Sequence, residues 1–261
     1  MLVATPSLML PHVSETAIEL SVLLALLAGL LTFVEYNSHF PSFVEFRDAP
    51  PLNRIRYIAL FMTVVILTLV SNNTYEPTNL TMLFANVGAG IGNGLDFPFS
   101  PVRLVILMLP PDASAQLINT VRISAGVSYL IAILTVSVFL FSVRIMGWPT
   151  GNGAFNVWIN LPLFDPTTGG DVVYRMQRDG RVNVVFGILL PFIIPAVVKV
   201  ASDWGGPMLL ENPQTLIWTM SAWSFLPASM IMRGVAMTRI ADLIEEKRRR
   251  AYANAQAMQA A

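Results

Sequence analysis

Five long stretches of this sequence carry almost no charge, and each approaches the length that crosses a lipid bilayer as a helix. The hydrocarbon core of a bilayer is about 30 Å thick and a helix rises about 1.5 Å per residue, so roughly 20 apolar residues suffice. Backbone amides have no water partner in lipid, which forces such segments to be helical. We therefore predict an all-α polytopic integral membrane protein with about five transmembrane helices, at residues 16–35, 56–73, 120–145, 183–202 and 214–234.

The composition favours contact with lipid and excludes several kinds of chemistry. The chain has 261 residues, of which 54% are hydrophobic and 12% are charged, whereas a soluble domain carries about 25% charged residues. It has no cysteine, which excludes disulfides, thiolate metal sites and cysteine nucleophiles. Its formal net charge is zero, so nothing attracts it to nucleic acid. We predict a single membrane domain over residues 1–261, ending in a cytoplasmic amphipathic helical tail at residues 235–261.

Basic residues are shared unevenly among the connections between the predicted spans. If the chain crosses the membrane five times, thirteen of its sixteen Lys and Arg residues fall on one side. The other side keeps Arg103, Arg122 and Lys199. Because basic loops are retained in the cytoplasm, we predict that the N-terminus lies outside and the C-terminus inside. The low charge and short loops suit a bacterial cytoplasmic (inner) membrane.

The two longest connections contain segments that we expect to lie at the membrane surface. Thr78 to Val87 has apolar residues at helical spacing, which predicts a short interfacial helix. The glycine-rich stretch at 88–94 does not match a dinucleotide-binding fingerprint. It predicts either a flexible turn or a close approach of the backbone to a partner. Residues 172–181 predict either a small hairpin with an Asp-Gly turn or a segment lying on the membrane surface.

Two segments on the predicted cytoplasmic side are candidates for docking to a partner or to the membrane. In the first connection, apolar anchors alternate with charges, at Phe43, Phe46 and Arg47. The tail has a basic end, which suits anionic lipid headgroups or the cytoplasmic face of a partner. Its basic residues are Arg248, Arg249 and Arg250. The simpler alternatives are a short loop pressed onto the membrane and a solvated helix.

Ionisable residues within the predicted spans are few, and all of them lie near span ends. Glu19 lies in the first turns of span one, and Lys199 ends span four with Asp203 at a helical ion-pair spacing. Charges that mark a transport path generally lie nearer the bilayer centre. We therefore treat an ion or transport site formed by these three residues as the alternative hypothesis, to be compared with a role in binding other membrane proteins. It would use carbonyl groups freed by prolines in the fourth and fifth helices, which are Pro191, Pro195 and Pro227.

The sequence shows no catalytic, nucleotide-binding or metal-binding motif. His12 and His39 fall on opposite sides of the predicted membrane, so they cannot share a metal ion. Neither a Gly-x-Ser-x-Gly nor a Walker sequence occurs. We predict no enzyme activity, no metal site and no cofactor, although a lipid or pigment could bind between the helices.

These observations favour a non-catalytic integral membrane subunit, or an assembly or scaffold factor, that binds other membrane proteins in a larger complex. A homo-oligomer and contacts with membrane lipids fit the same features, and nucleic acid is not an expected partner. The main alternative is a transporter or channel component that uses the kinked fourth and fifth helices. A third is an intramembrane enzyme acting on lipid, which would need a joint polar cluster of Glu35, His39, Glu45 and Asp48.

Overall fold

The computed structural model describes residues 1–149, 156–165, 167, 169–205 and 210–260, and every regular element in these ranges is a helix. A single 3-10 turn, Leu2–Ala4, precedes the α-helices. In chain order these are α1 (Thr5–Met9), α2 (Glu15–Asn37), α3 (Leu52–Asn72), α4 (Asn79–Leu95), α5 (Pro101–Leu107), α6 (Ala115–Arg144), α7 (Val157–Asn160), α8 (Val172–Gly205) and α9 (Pro213–Ala260).

Four helices within the described ranges are long and apolar enough to cross a membrane. They are α2, α3, α6 and Val172–Ser202 of α8, with mean hydropathies of 2.3, 1.8, 2.2 and 2.4. The prediction of an all-α polytopic membrane protein is therefore confirmed, and the predicted number of spans is close. The fifth predicted span, at 214–234, lies inside α9 and is not one of the four.

The apolar run of α9 is interrupted by polar residues because this part of α9 contacts protein rather than lipid. Ile217, Met220 and Trp223 are at most 4% exposed, and Ser221 and Ser224 are buried beside them. Small hydroxyl side chains are common where membrane helices pack against each other. The segment is the central helix of the bundle, packed against α3, α6 and α8.

Hydroxyl side chains cap the N-termini of several helices, as a helix with four unpaired amides requires. Ser14, Ser100 and Ser114 each accept a hydrogen bond from the amide three residues later. Thr78 and Thr81 form a reciprocal capping box at the start of α4. Ser114 is thus the N-cap of α6, the helix that contains the third predicted span.

The glycine-rich stretch at 88–94 is helical, so a flexible turn is the wrong interpretation. It forms the second half of α4, which crosses α6 where two glycines meet. A Cβ on Gly126 would lie 2.6 Å from Gly92 Cα, so neither position has room for a side chain. Close backbone approach is the correct alternative, and the partner is α6 of the same chain.

Helices α8 and α9 form an antiparallel pair along most of the length of α8. Gly180 faces Gly234 and Thr238, and Gly187 faces Ile231. Gly180 thus allows two helices to approach instead of forming a turn, and the hairpin predicted around it is wrong. A helix propagates through this region because close packing outweighs the roughly 1 kcal/mol that glycine costs in a helix.

Candidate functional site

Helix α2 stands apart from the rest of the bundle. Among the described residues, it packs against the first turn of the chain and α1 and makes no extended packing contact with α3, α6, α8 or α9. None of its 18-residue apolar window is buried, against 39% for α3 and α6. Its large side chains are exposed on every side, including Leu23 (62%), Leu26 (66%), Leu30 (59%) and Phe33 (65%).

The ends of α2, and not its sides, hold it in place. Near its start, the hydroxyls of Ser7 and Ser21 are 2.6 Å apart, and Gln214 Nε2 donates to Ser7 Oγ at 2.9 Å. These bonds connect α1, α2 and the beginning of α9. At its other end, the buried Glu35 carboxylate accepts hydrogen bonds from the following loop.

The loop at 38–51 folds back around the Glu35 carboxylate. The backbone amides of Ser42, Phe43 and Val44 donate to Glu35 Oε2 at 3.0, 3.2 and 3.2 Å. Arg47 Nη1 returns to the backbone and donates to the Glu35 carbonyl at 3.1 Å. Several hydrogen bonds to one carboxylate fix the direction in which the chain leaves the helix, because an ionised carboxylate makes strong, charge-assisted bonds.

The same loop is fastened to the bundle by an aromatic anchor. Phe46 is 1% exposed and its ring lies 5.9 Å from the ring of Trp148. Its amide donates to the Asn160 carbonyl at 2.6 Å. Trp148 Nε1 in turn donates to the Ala49 carbonyl at 3.1 Å. Because the indole and the buried backbone groups satisfy each other, the loop is an ordered part of the fold.

An ion pair connects this loop to α9. Arg233 Nε and Nη2 donate to the two carboxylate oxygens of Glu45 at 2.5 and 2.7 Å. The Glu45 side chain is 7% exposed and that of Arg233 26%. Arg56 lies in the same cluster, where its Nε donates to Ser229 Oγ at 3.1 Å. A bidentate pair of this kind restricts both orientation and distance.

Of the residues predicted to dock in the first connection, only Phe43 remains available at the surface, with 54% exposure. Phe46 is used inside the fold, so its side chain offers no surface to a partner. The Arg47 side chain is 10% exposed and is bonded to Asp48 and to backbone carbonyls. Docking through Phe43 stays a prediction.

The basic end of the tail is exposed, and two of its three arginines have partners in the chain. Arg248 Nη1 donates to Asp171 Oδ1 at 2.8 Å, and Arg250 pairs with Glu246 one turn earlier. The guanidinium of Arg248 lowers the pKa of the Asp171 carboxyl below its ordinary value, with help from the backbone amides at the start of α8. Arg249 is exposed. These residues can still face headgroups or a partner, as predicted.

The structure does not bring the predicted transport residues together. Glu19 is exposed on α2, and Lys199 lies on α8, with no extended packing between these helices in the described ranges. The side chain of Asp203 lies outside the described residues. The carbonyl group that the prolines of α8 leave without a helical partner is also already bonded within the chain. Pro195 has no amide to donate to the Pro191 carbonyl, and Trp223 Nε1 donates to that carbonyl instead, at 3.2 Å.

The acidic residues of the alternative lipid-enzyme site serve three separate purposes. Glu35 binds loop amides, Glu45 pairs with Arg233, and Asp48 pairs with Arg47. His39 is exposed. Across the described residues, no group of three or more His, Cys, Asp or Glu side chains could hold a metal ion.

A groove between α6 and α8, with α9 as its floor, was not predicted. It contains a cavity of about 310 Å³ lined mainly by apolar side chains, and a second of about 440 Å³ at the end of α6. We call it the α6–α8 groove. The sequence offers one weak signal for it, the small residues Ala132, Gly187 and Ala228 on the three helices.

Comparison with models of known protein families, with curated proteins and with solved structures returns no match.

Proposed function

We propose that this chain is a non-catalytic subunit, or an assembly factor, of a larger membrane complex and that it binds another membrane protein through α2. The observation that carries this proposal is the exposure of α2. A helix of 23 residues is held at both ends, while its apolar sides make no extended packing contact with the described parts of the other spanning helices. Such a helix leaves a whole surface for a helix of a partner.

The residues of α2 suit a helix partner. Ala25, Ala28, Gly29 and Thr32 fall at helical spacing on one face, and open space surrounds Gly29. In lipid, helices associate through close packing, because lipid tails are as apolar as leucine and supply no hydrophobic drive. A face of small residues allows this close approach, while the leucines on the other faces suit lipid.

We further propose five crossings in a bacterial inner membrane, with the N-terminus outside and the C-terminus in the cytoplasm. The antiparallel pairing supports the fifth crossing. Since α9 runs beside α8 from Trp223, opposite Pro191, to Thr238, opposite Gly180, it covers the same depth. If α8 crosses the bilayer, this part of α9 crosses with it. The uneven distribution of basic residues supports the orientation.

Co-purification of the tagged chain from native membranes in mild detergent tests the function. We expect a complex larger than the monomer, and mass spectrometry would identify the partner as another protein or a second copy of the chain. Gly29→Leu should release the partner without unfolding the chain, because no atom of another described element lies within 4 Å of a Cβ at this position. Leu27→Phe, an enlargement on the opposite face, is the matched control. Recovery of the wild type as a monomer, or a complex unaffected by Gly29→Leu, would contradict the proposal.

The alternative, a transporter or channel component, has less support, because Glu19 and Lys199 lie on helices without extended packing contacts in the described ranges. The Pro191 carbonyl is also already bonded. Neutral replacements of Glu19 and Lys199 separate the two functions. Loss of flux with an intact complex would favour transport.

A further inference from the structure

The α6–α8 groove is open to the surroundings at one end and closed at the other. Helices α6 and α8 both pack against α9 but make no extended contact with each other in the described ranges. At the end near the C-terminus of α8, α5 packs against both walls and closes the gap. At the other end, where α6 ends, none of the described helices other than the floor helix α9 makes extended contacts with both walls. The groove therefore opens toward the membrane surface on which Arg144 lies.

The middle of the groove is apolar. Its 310 Å³ cavity is lined by side chains such as Ile133 and Val136 on α6, Ile188 and Phe192 on α8, and Ile231 on α9. The groove extends from Tyr129 to Arg144 on α6, which is about 22 Å at 1.5 Å per residue. Half the hydrocarbon core of a bilayer is about 15 Å thick. An acyl chain of the same leaflet thus fits within this length.

The open end of the groove is more polar than its middle and carries an excess of positive charge. The 440 Å³ cavity begins one helical turn beyond the apolar one, at Val184 on α8 and Val235 on α9. Its charged residues are Arg144, Arg239 and Asp242. Two cations against one carboxylate leave one net positive charge, which matches the single negative charge of a phosphodiester.

The two arginines have different roles. Arg239 is held in position, because its Nε donates to the Trp148 carbonyl at 3.2 Å. Arg144 is exposed at the last residue of α6 and makes no hydrogen bond or ion pair with a described residue. It also offsets the partial negative charge that the end of a helix carries. A guanidinium with free donors at a membrane surface is suited to bind a phosphate.

From this arrangement we infer that the α6–α8 groove binds one anionic glycerophospholipid. An acyl chain lies between α6 and α8 on the floor made by α9, and the phosphate binds Arg144 and Arg239. A zwitterionic lipid binds less well, because its headgroup adds a cation next to two arginines. The site does not depend on α2 or on the partner proposed for it.

Titration of the purified full-length chain with phosphatidylglycerol and with phosphatidylcholine, followed by native mass spectrometry and thermal unfolding, tests this inference. We expect tighter binding and a larger rise in Tm with phosphatidylglycerol. Arg144→Gln should weaken phosphatidylglycerol binding about tenfold, as expected for the loss of one charge-assisted contact. Arg144→Lys should retain most of the binding. Arg54→Gln, which removes an exposed arginine at the start of α3, outside the lining of the groove, is the matched control and should have no effect.

Ala132→Phe provides a second, independent variant, because it fills the apolar part of the groove and leaves the charges intact. It should lower binding of phosphatidylglycerol while the free protein keeps its Tm. Equal affinity for the two lipids, or equal effects of Arg144→Gln and Arg54→Gln, would overturn the assignment. So would unchanged lipid binding in Ala132→Phe.

Discussion

The Glu45 carboxylate and the Arg233 guanidinium are bonded through two nitrogen–oxygen contacts between the loop before α3 and the middle of α9. Glu45 is almost fully buried, so neither water nor lipid can replace its partner. Removal of one member of such a pair leaves the other charge without compensation, which costs more than the pair contributes as a whole. The position of the loop therefore depends on this contact.

We predict that Arg233→Met lowers the free energy of unfolding by about 2 kcal/mol, the scale of a hydrogen bond to a buried charge. Thermal or denaturant unfolding in detergent measures the change. Arg178→Gln removes an exposed pair with Asp179 and serves as the control, since exposed pairs contribute about 0–1 kcal/mol. Equal effects of the two substitutions would show that Glu45 is not held in the way described.

The contact between Asp171 and Arg248 should make the position of the tail depend on pH. The hydrogen bond from Arg248 lowers the pKa of Asp171, so the carboxylate keeps its charge, and the ion pair, at a lower pH than a free aspartate would. A lowered pKa means that the pair stabilises the docked tail above the pKa of a free aspartate, about 3.9. This stabilisation is lost as the pH falls through the lowered pKa.

We therefore predict that a fluorophore on Ala251→Cys, in a chain that has no other cysteine, shows constant anisotropy from pH 8 to about pH 5. Its anisotropy should then fall in stronger acid as the tail is released. Asp171→Asn should give a lower anisotropy than the wild type at pH 7 and should not show the fall in acid. A tail with the same anisotropy in both proteins at pH 7 would exclude this contact.

At the scale of helices, the crossing of α4 and α6 depends on the absence of side chains at Gly92 and Gly126. A Cβ on Gly92 would lie 2.9 Å from the carbonyl oxygen of Arg122, which belongs to the backbone and cannot rotate away. Gly90 lies on the same helix two residues earlier, and nothing lies within 4 Å of its Cβ position. Close packing against α6 therefore requires glycine at position 92 but not at position 90.

We predict opposite effects for alanine at these two positions. Gly92→Ala should destabilise the protein by about 1–3 kcal/mol, because the helices must move apart. Gly90→Ala should stabilise it by up to about 1 kcal/mol, because alanine favours a helix more than glycine does. Unfolding of each variant in the same detergent measures both. Destabilisation by Gly90→Ala of the same size would contradict the packing at Gly92.

At the scale of the whole molecule, the position of α9 relative to the membrane decides the orientation of both ends. We predict that Asn212→Cys, before α9, reacts with a membrane-impermeant maleimide in intact cells. Ala253→Cys, near its end, should react only after the membrane is opened. Because the natural chain has no cysteine, each variant carries a single label. Labelling of both positions from the same side would exclude the fifth crossing and the orientation based on it.

The helical, membrane-embedded nature of the chain could be read from sequence because it depends on local properties. The length of an apolar run and the absence of charge decide whether a segment can cross a bilayer. The N-cap at Ser114 was also predictable, since capping involves residues three apart. The glycines at 88–94 and at 180 suggested turns, but they lie within helices α4 and α8. Glycine favours a turn by its own propensity, whereas in this fold it serves the close packing of two helices.

The sequence by itself determined that this chain is largely helical and that several of its helices are long and apolar enough to cross a bilayer. Only the tertiary structure decided which helix is central and which stands apart. Helices α2 and α9 both contain long apolar runs, yet the less apolar one is buried and the more apolar one is exposed. Lipid tails are as apolar as leucine, so hydropathy cannot distinguish a helix that packs against protein from a helix that faces lipid. Backbone approach at glycines and a few buried polar contacts make that distinction, and these depend on residues far apart in the chain.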